Sequence, residues 1–115
     1  MPNRQQLLIE QVKPDLPIIV YPERSILNRL KQEFKDDSFT LKTELVVDHL
    51  LDMMDEGGIV CAIRPKHIPP EEVKVAFICS LTHFKVKKGE PHYKELEIYR
   101  IKRSKRLARK NRRRF

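Results

Sequence analysis

The chain lacks the features that mark membrane proteins, secreted proteins and well-known enzyme classes. Its longest uninterrupted apolar runs are five residues, such as IVCAI at 59–63, whereas a helix that spans a bilayer needs about 20. The opening MPNRQQLLIEQVKP is too polar, and too interrupted by proline, for a secretory signal. No catalytic motif and no internal repeat is visible. These absences predict a cytoplasmic protein, nuclear if the cell is eukaryotic, with no membrane partner.

Cysteine is also scarce, since Cys61 and Cys79 are the only two. Each lies in an apolar run, where thiols are usually buried and inert. A disulfide is possible if their strands are neighbours, but a cytoplasmic chain gives little reason to expect one. No cofactor and no metal site is predicted. Asp48, His49 and Asp52 are close in sequence, but no obvious further ligand accompanies them.

Acidic residues are absent from the last sixteen positions, 100–115, which contain ten Lys or Arg. The remaining residues hold 14 basic and 16 acidic side chains, so the net charge of +8 comes entirely from this basic segment. Clustered cations repel one another unless a polyanion neutralises them, and the usual polyanion is nucleic acid. The residues predicted to bind nucleic acid are Arg100, Lys102, Arg103, Lys105, Arg106, Arg109, Lys110, Arg112, Arg113 and Arg114.

Arginine outnumbers lysine in the basic segment by seven to three. Its planar guanidinium suits bidentate phosphate contacts, and arginine-rich segments fold on irregular RNA. RNA is therefore slightly favoured over DNA, and binding is expected to be non-catalytic. A solvated tail or a nuclear localisation signal of the KRSKR type is the alternative. The predicted organisation is one compact domain at 1–102 followed by a basic tail at 103–115.

The first hundred residues predict an α+β domain. Helices are expected at 3–12, 23–35 and 41–55, from apolar residues at helical spacing. Strands are expected at 16–21, 59–64, 73–86 and 93–101. The last of these is predicted because Leu96 and Ile98 share one face when the segment is read with a period of two. The expected architecture is two to three helices packed on a small antiparallel sheet, a three-stranded meander plus a possible short first strand.

The predicted helix at 41–55 has an acidic outer face, on which Glu44, Asp48 and Asp52 recur every four residues. This face is predicted to bind a protein partner or a second copy of the chain. The helix and the following GGIVCAIR resemble the third helix and wing of a winged helix-turn-helix domain, over about residues 25–86. That resemblance implies an interaction or transcription-associated module. Reading of bases is disfavoured, because phosphates repel an acidic helix.

A second resemblance implies an enzyme. The predicted order of strand, two helices and three strands, ending in ELEIYRIKRSKRLARKNRRRF, resembles the RelE-like superfamily of small ribonuclease toxins, and its BrnT branch above all. The resemblance implies metal-independent RNA cleavage, in which cations stabilise the phosphate charge. The residues that it places near the RNA are Tyr99, Arg100, Lys102 and Arg103. A non-enzymatic binding protein remains the leading prediction.

Overall fold

The computed structural model describes residues 3–73 and 77–112, which form an α+β fold. Three helices are longer than two turns: α1 (Arg4–Val12), α2 (Arg24–Phe34) and α4 (Tyr93–Arg112). Between the last two lies the single-turn helix α3 (Met54–Gly57). The strands are β1 (Ile18–Pro22), β2 (Leu45–Asp52), β3 (Ile59–Pro65), β4 (Phe77–Ser80) and β5 (Phe84–Val86). The predicted α+β class is confirmed.

The five strands form one antiparallel sheet in the order β4-β3-β2-β1-β5. Strands β4 and β5 are its two edges, yet only the 3-10 turn Leu81–His83 separates them in the chain. In a flat sheet, four gaps of about 4.8 Å would hold the two edges about 19 Å apart. A three-residue 3-10 turn rises only about 6 Å. The sheet therefore curls until its edges approach each other.

A single core lies inside the curled sheet. Strand β3 alternates buried and half-buried residues along its whole length, with Ile59, Cys61 and Ile63 pointing inward. The long helices add Val12, Ile26, Leu30 and Leu96 to the same core. All three long helices therefore pack against the inner side of the sheet.

Helices α1 and α2 and strands β1 and β3 confirm the predictions at 3–12, 23–35, 16–21 and 59–64. The local sequence features that predict these elements are strong. Asn3 and Gln6 form a capping box at the start of α1, in which the Gln6 N–H donates to Asn3 Oδ1 at 2.8 Å. Pro14 ends the α-helical geometry soon afterwards.

Residues 45–52 form strand β2, so the predicted helix at 41–55 is wrong. A β-bulge between Val47 and His49 shifts the positions of the inward-facing side chains by one residue. Val46 and Leu51 on the outward side are apolar as well. The apolar residues therefore recur at spacings of three and four, which imitates a helix. The helix on which the winged-helix resemblance depended is thus a strand.

Residues 93–101 belong to helix α4, so the strand predicted there is wrong. The buried stripe of the helix consists of Leu96, Arg100 and Arg103, whereas Ile98 and Ile101 are each 44% exposed. Hydrophobic periodicity misses a helix whose buried positions are mostly arginine.

The predicted three-stranded meander is too small, since the sheet has five strands. The added members are β2, which lies at the centre of the sheet, and a second strand from the 73–86 region. That region supplies both β4 and β5, and its residues 74–76 lie outside the described residues.

Cys61 and Cys79 are buried free thiols at directly opposed positions of β3 and β4. Hydrogen bonding with the Cys79 side chain, followed by burial, raises the pKa of Cys61 well above its usual value. Because the thiolate is the reactive form, we expect alkylation by iodoacetamide to be at least about tenfold slower in the native protein than in concentrated urea. Mass spectrometry of quenched time points measures both rates, and equal rates would contradict the burial of this pair.

Candidate nucleic-acid interface

Helix α4 has a docked half and a projecting half. Tyr93, Leu96 and Tyr99 pack against the core, whereas every side chain from Lys105 to Arg109 is exposed. At 1.5 Å per residue, positions 105–112 extend the helix by about 12 Å. The helix therefore leaves the body near Ser104 and carries basic residues outward.

Four cations share one exposed face of α4, and we call them the basic quartet: Lys102, Lys105, Arg106 and Arg109. Spacings of three and four residues bring them together on successive turns, away from the buried Leu96. Within the described part of the chain, none of the four forms an ion pair. The sequence contains no Asp or Glu after Glu97. Among the described residues, the quartet is therefore a cluster of positive charges without ion-pair partners.

Arg100 differs from the quartet because it is buried and paired. Its Nε donates to Glu97 at 2.6 Å, and its Nη1 donates to Glu23 at 3.2 Å. Glu23 is the N-cap residue of α2. The Arg100 guanidinium thus ties α4 to the start of α2, and its charge is compensated inside the body.

Tyr99 and Arg103 dock α4 against Gly58. A Cβ atom on residue 58 would lie 2.4 Å from Arg103 Nε and 2.5 Å from Tyr99 Oη. The Tyr99 hydroxyl accepts the Ile59 N–H at 2.8 Å. The missing side chain at Gly58 therefore allows the helix to approach the beginning of β3.

The ten residues predicted to bind nucleic acid fall into three groups. The quartet is exposed, Arg100 and Arg103 are buried, and the rest are not described: Arg113 and Arg114 lie outside the described residues, as do the side chains of Lys110 and Arg112. The predicted boundary between residues 102 and 103 falls inside α4, which continues through it without a break. At least part of the basic segment is therefore an extension of the domain's own helix.

The three acidic residues predicted to form a partner surface are each hydrogen bonded within the chain. Their partners are Lys66 and Lys87 for Glu44, Arg64 for Asp48, and Gln5 for Asp52. Hydrogen bonds from Lys87 and then from Lys66 lower the pKa of Glu44. These carboxylates connect elements of the body. Their role in binding a protein partner or a second copy stays a prediction.

A groove of about 440 Å³ lies between α1 and α4, next to the quartet. This α1–α4 groove has an apolar lining from Leu8, Ile98 and Tyr99. Its charged lining residues are Arg4, Lys102, Arg103, Arg106 and Glu95. The groove is not visible in the sequence, because α1 and α4 lie at opposite ends of the described chain. The volume is within the range of small-ligand sites, about 300–1,000 Å³.

A second polar cluster lies at the start of α2, where Ser25 Oγ is 2.9 Å from His83 Nδ1. Burial, and then the charge of Arg29, lower the pKa of His83, while Glu23 opposes them. The lowered pKa favours the neutral form of the imidazole. No described carboxylate is hydrogen bonded to this imidazole, so the pair lacks the third member of a catalytic triad.

No family model, no curated protein and no solved structure matches this chain. Among residues 3–73 and 77–112, no three His, Cys, Asp or Glu side chains are grouped so that they could hold a metal ion. None of the described helices combines the length and the apolar character needed to cross a bilayer.

Proposed function

We propose that the protein binds nucleic acid through the basic quartet of α4, that RNA is favoured over DNA, and that binding is not followed by catalysis. The observation that carries this proposal is the cluster of four exposed cations, on one helix face, that have no described carboxylate partner. Lys and Arg side chains that neutralise phosphates release condensed counterions, and this release supplies most non-specific affinity. RNA is favoured because the basic segment as a whole contains seven Arg and three Lys, and arginine-rich segments fold on irregular RNA.

Repulsion within the quartet also supports a polyanionic ligand. Like charges three or four residues apart destabilise an isolated helix by about 0.2–0.5 kcal/mol per pair. The quartet contains four such pairs, and the projecting half of α4 buries no described side chain that could offset them. Phosphates along a nucleic-acid strand replace this repulsion by attraction. Binding is therefore expected to stabilise the projecting half of the helix.

A ribonuclease toxin is the alternative that the sequence resemblance implies. In that mechanism the residues near the RNA would stabilise charge on the reacting phosphate. Tyr99 is instead hydrogen bonded to the Ile59 N–H, and Arg100 is held between two glutamates. Binding without cleavage accords better with these contacts.

Neutralising two members of the quartet tests the proposal. We expect Lys105→Ala/Arg109→Ala to bind a fluorescent single-stranded RNA about 10- to 30-fold more weakly at about 0.1 M salt. The plot of log affinity against log salt concentration should become shallower by about 1.4, since each phosphate contact on a single strand contributes about 0.7. Fluorescence anisotropy across a salt series measures both quantities.

The matched control is Arg24→Ala/Lys42→Ala, which removes the same charge from two exposed positions outside α4. We expect this variant to bind within about threefold of the wild type, because neither charge belongs to the quartet and the long-range effect of exposed charges is screened at this salt concentration. Equal losses of RNA affinity in the two variants would indicate an effect of net charge and contradict the proposal that the quartet is the interface. A wild-type protein that binds no RNA at low salt would overturn the proposal. Fragmented RNA would favour the toxin.

A further inference from the structure

We infer that the α1–α4 groove accepts one unpaired base of the bound strand, while the adjoining phosphates contact the cations around it. This inference rests on the proposed function. It adds a base-binding site to an interface that otherwise recognises only phosphate.

The groove is chemically complementary to a nucleotide. A nucleotide joins a flat, largely apolar ring to an anionic phosphate. The groove joins the apolar side chains of Leu8, Ile98 and Tyr99 to cations from two helices, Arg4 on α1 and Lys102 and Arg106 on α4. Its carboxylate, Glu95, can accept an N–H from the edge of a base.

The aromatic surface in the groove is held in place before any ligand arrives. The Tyr99 hydroxyl accepts the Ile59 N–H at 2.8 Å, which fixes the ring at the start of β3. On the α1 side, Gln5 is held by hydrogen bonds to Asp52 at 2.9 Å and to the Met54 carbonyl at 3.4 Å. A fixed ring loses little conformational entropy when a base stacks on it.

The position of the groove identifies its occupant. Lys102 and Arg106 belong both to the groove and to the quartet. A strand whose phosphates contact the quartet therefore passes the mouth of the groove. An unpaired base of that strand reaches the apolar lining without leaving its backbone contacts, which distinguishes it from an unconnected apolar ligand.

The test compares two fluorescent oligonucleotides of about ten residues, one with bases and one abasic with the same ribose–phosphate backbone. We expect the wild type to bind the base-containing strand about tenfold more tightly, since stacking on an aromatic side chain has an effect of this size. We expect Tyr99→Leu, which removes the ring, to bind both strands with the affinity that the wild type has for the abasic one.

Tyr99→Phe is the matched control. It loses the same hydroxyl, and hence the same hydrogen bond to Ile59, but it keeps the ring. We expect it to retain the preference for bases. If Tyr99→Leu does not fold, Ile98→Ser removes apolar lining at a 44% exposed position and should reduce the preference at least threefold.

The outcomes separate this inference from the proposed function. If the wild type binds both strands equally, and still depends on Lys105 and Arg109, the base site is overturned and the phosphate interface stands. A preference for bases that survives in Tyr99→Leu also overturns the base site. If neither strand binds, both proposals fail.

Discussion

Replacing Gly58 by alanine is expected to lower the free energy of unfolding by about 3–5 kcal/mol. The residue has φ 63° and ψ −149°, a conformation that is almost restricted to glycine. The new Cβ would also collide with Arg103 Nε and Tyr99 Oη, at 2.4 and 2.5 Å. Relief of the collision displaces the Arg103 guanidinium and the Tyr99 hydroxyl, and with the latter the Tyr99–Ile59 hydrogen bond is lost. Urea denaturation followed by circular dichroism measures the loss.

Gly89→Ala provides the control for this prediction. Gly89 also has a positive φ, of 93°, but a Cβ there meets no atom within 4 Å. Gly89→Ala should therefore lower the free energy of unfolding through backbone strain alone, by about 1 kcal/mol. If Gly58→Ala is no more destabilising than Gly89→Ala, the close approach of α4 to β3 contributes nothing to stability.

Replacing Arg100 by methionine is expected to lower the free energy of unfolding by about 2–3 kcal/mol. Methionine preserves much of the apolar contact, but it leaves Glu97 and Glu23 without their partner. The loss is expected to be smaller than for a fully buried pair, because the Glu23 side chain is 32% exposed. Denaturant titration of the variant beside the wild type gives this quantity.

The Arg100→Met variant also distinguishes a role of Arg100 in anchoring α4 from a role in binding RNA. Folded Arg100→Met should bind RNA within about threefold of the wild type, because its charge was already compensated by glutamates. Lys105→Ala/Arg109→Ala should behave in the opposite way, with unchanged or higher stability and weakened binding. An Arg100→Met protein that keeps its stability and loses RNA binding would place Arg100 at the interface and contradict its role as an anchor.

The basic segment was visible in the sequence, but the sequence does not show which of its cations are exposed and which are buried and paired. Arg100 is held by Glu97 on its own helix and by Glu23, and Glu23 is 77 positions away in the sequence. No local pattern contains that information. The six predicted residues whose side chains are described therefore divide into two that are buried, Arg100 and Arg103, and the four of the exposed quartet.

The secondary structure was predictable where the apolar residues kept one period over a whole helix or strand. Strand β3 alternates without interruption, and α2 places Ile26 and Leu30 on one stripe. Strand β2 changes phase at its bulge, between Val47 and His49. Helix α4 fills buried positions with Arg100 and Arg103, which a hydrophobicity pattern counts as exposed. The errors thus arise where burial is achieved by a backbone irregularity or by paired charge.

The curled sheet has a consequence for the order in which the chain assembles. Strand β1 pairs with β5 across more than 60 residues of sequence, as in the partners Val20 and Val86. Helix α4 rests on β5 and on the turn before it. Its docking site is therefore complete only after this distant pairing has formed. A partly folded chain carries the same cations, but it has neither the fixed Tyr99 ring nor the α1–α4 groove. Base binding would thus distinguish the finished domain from its folding intermediates, whereas attraction to phosphate would not.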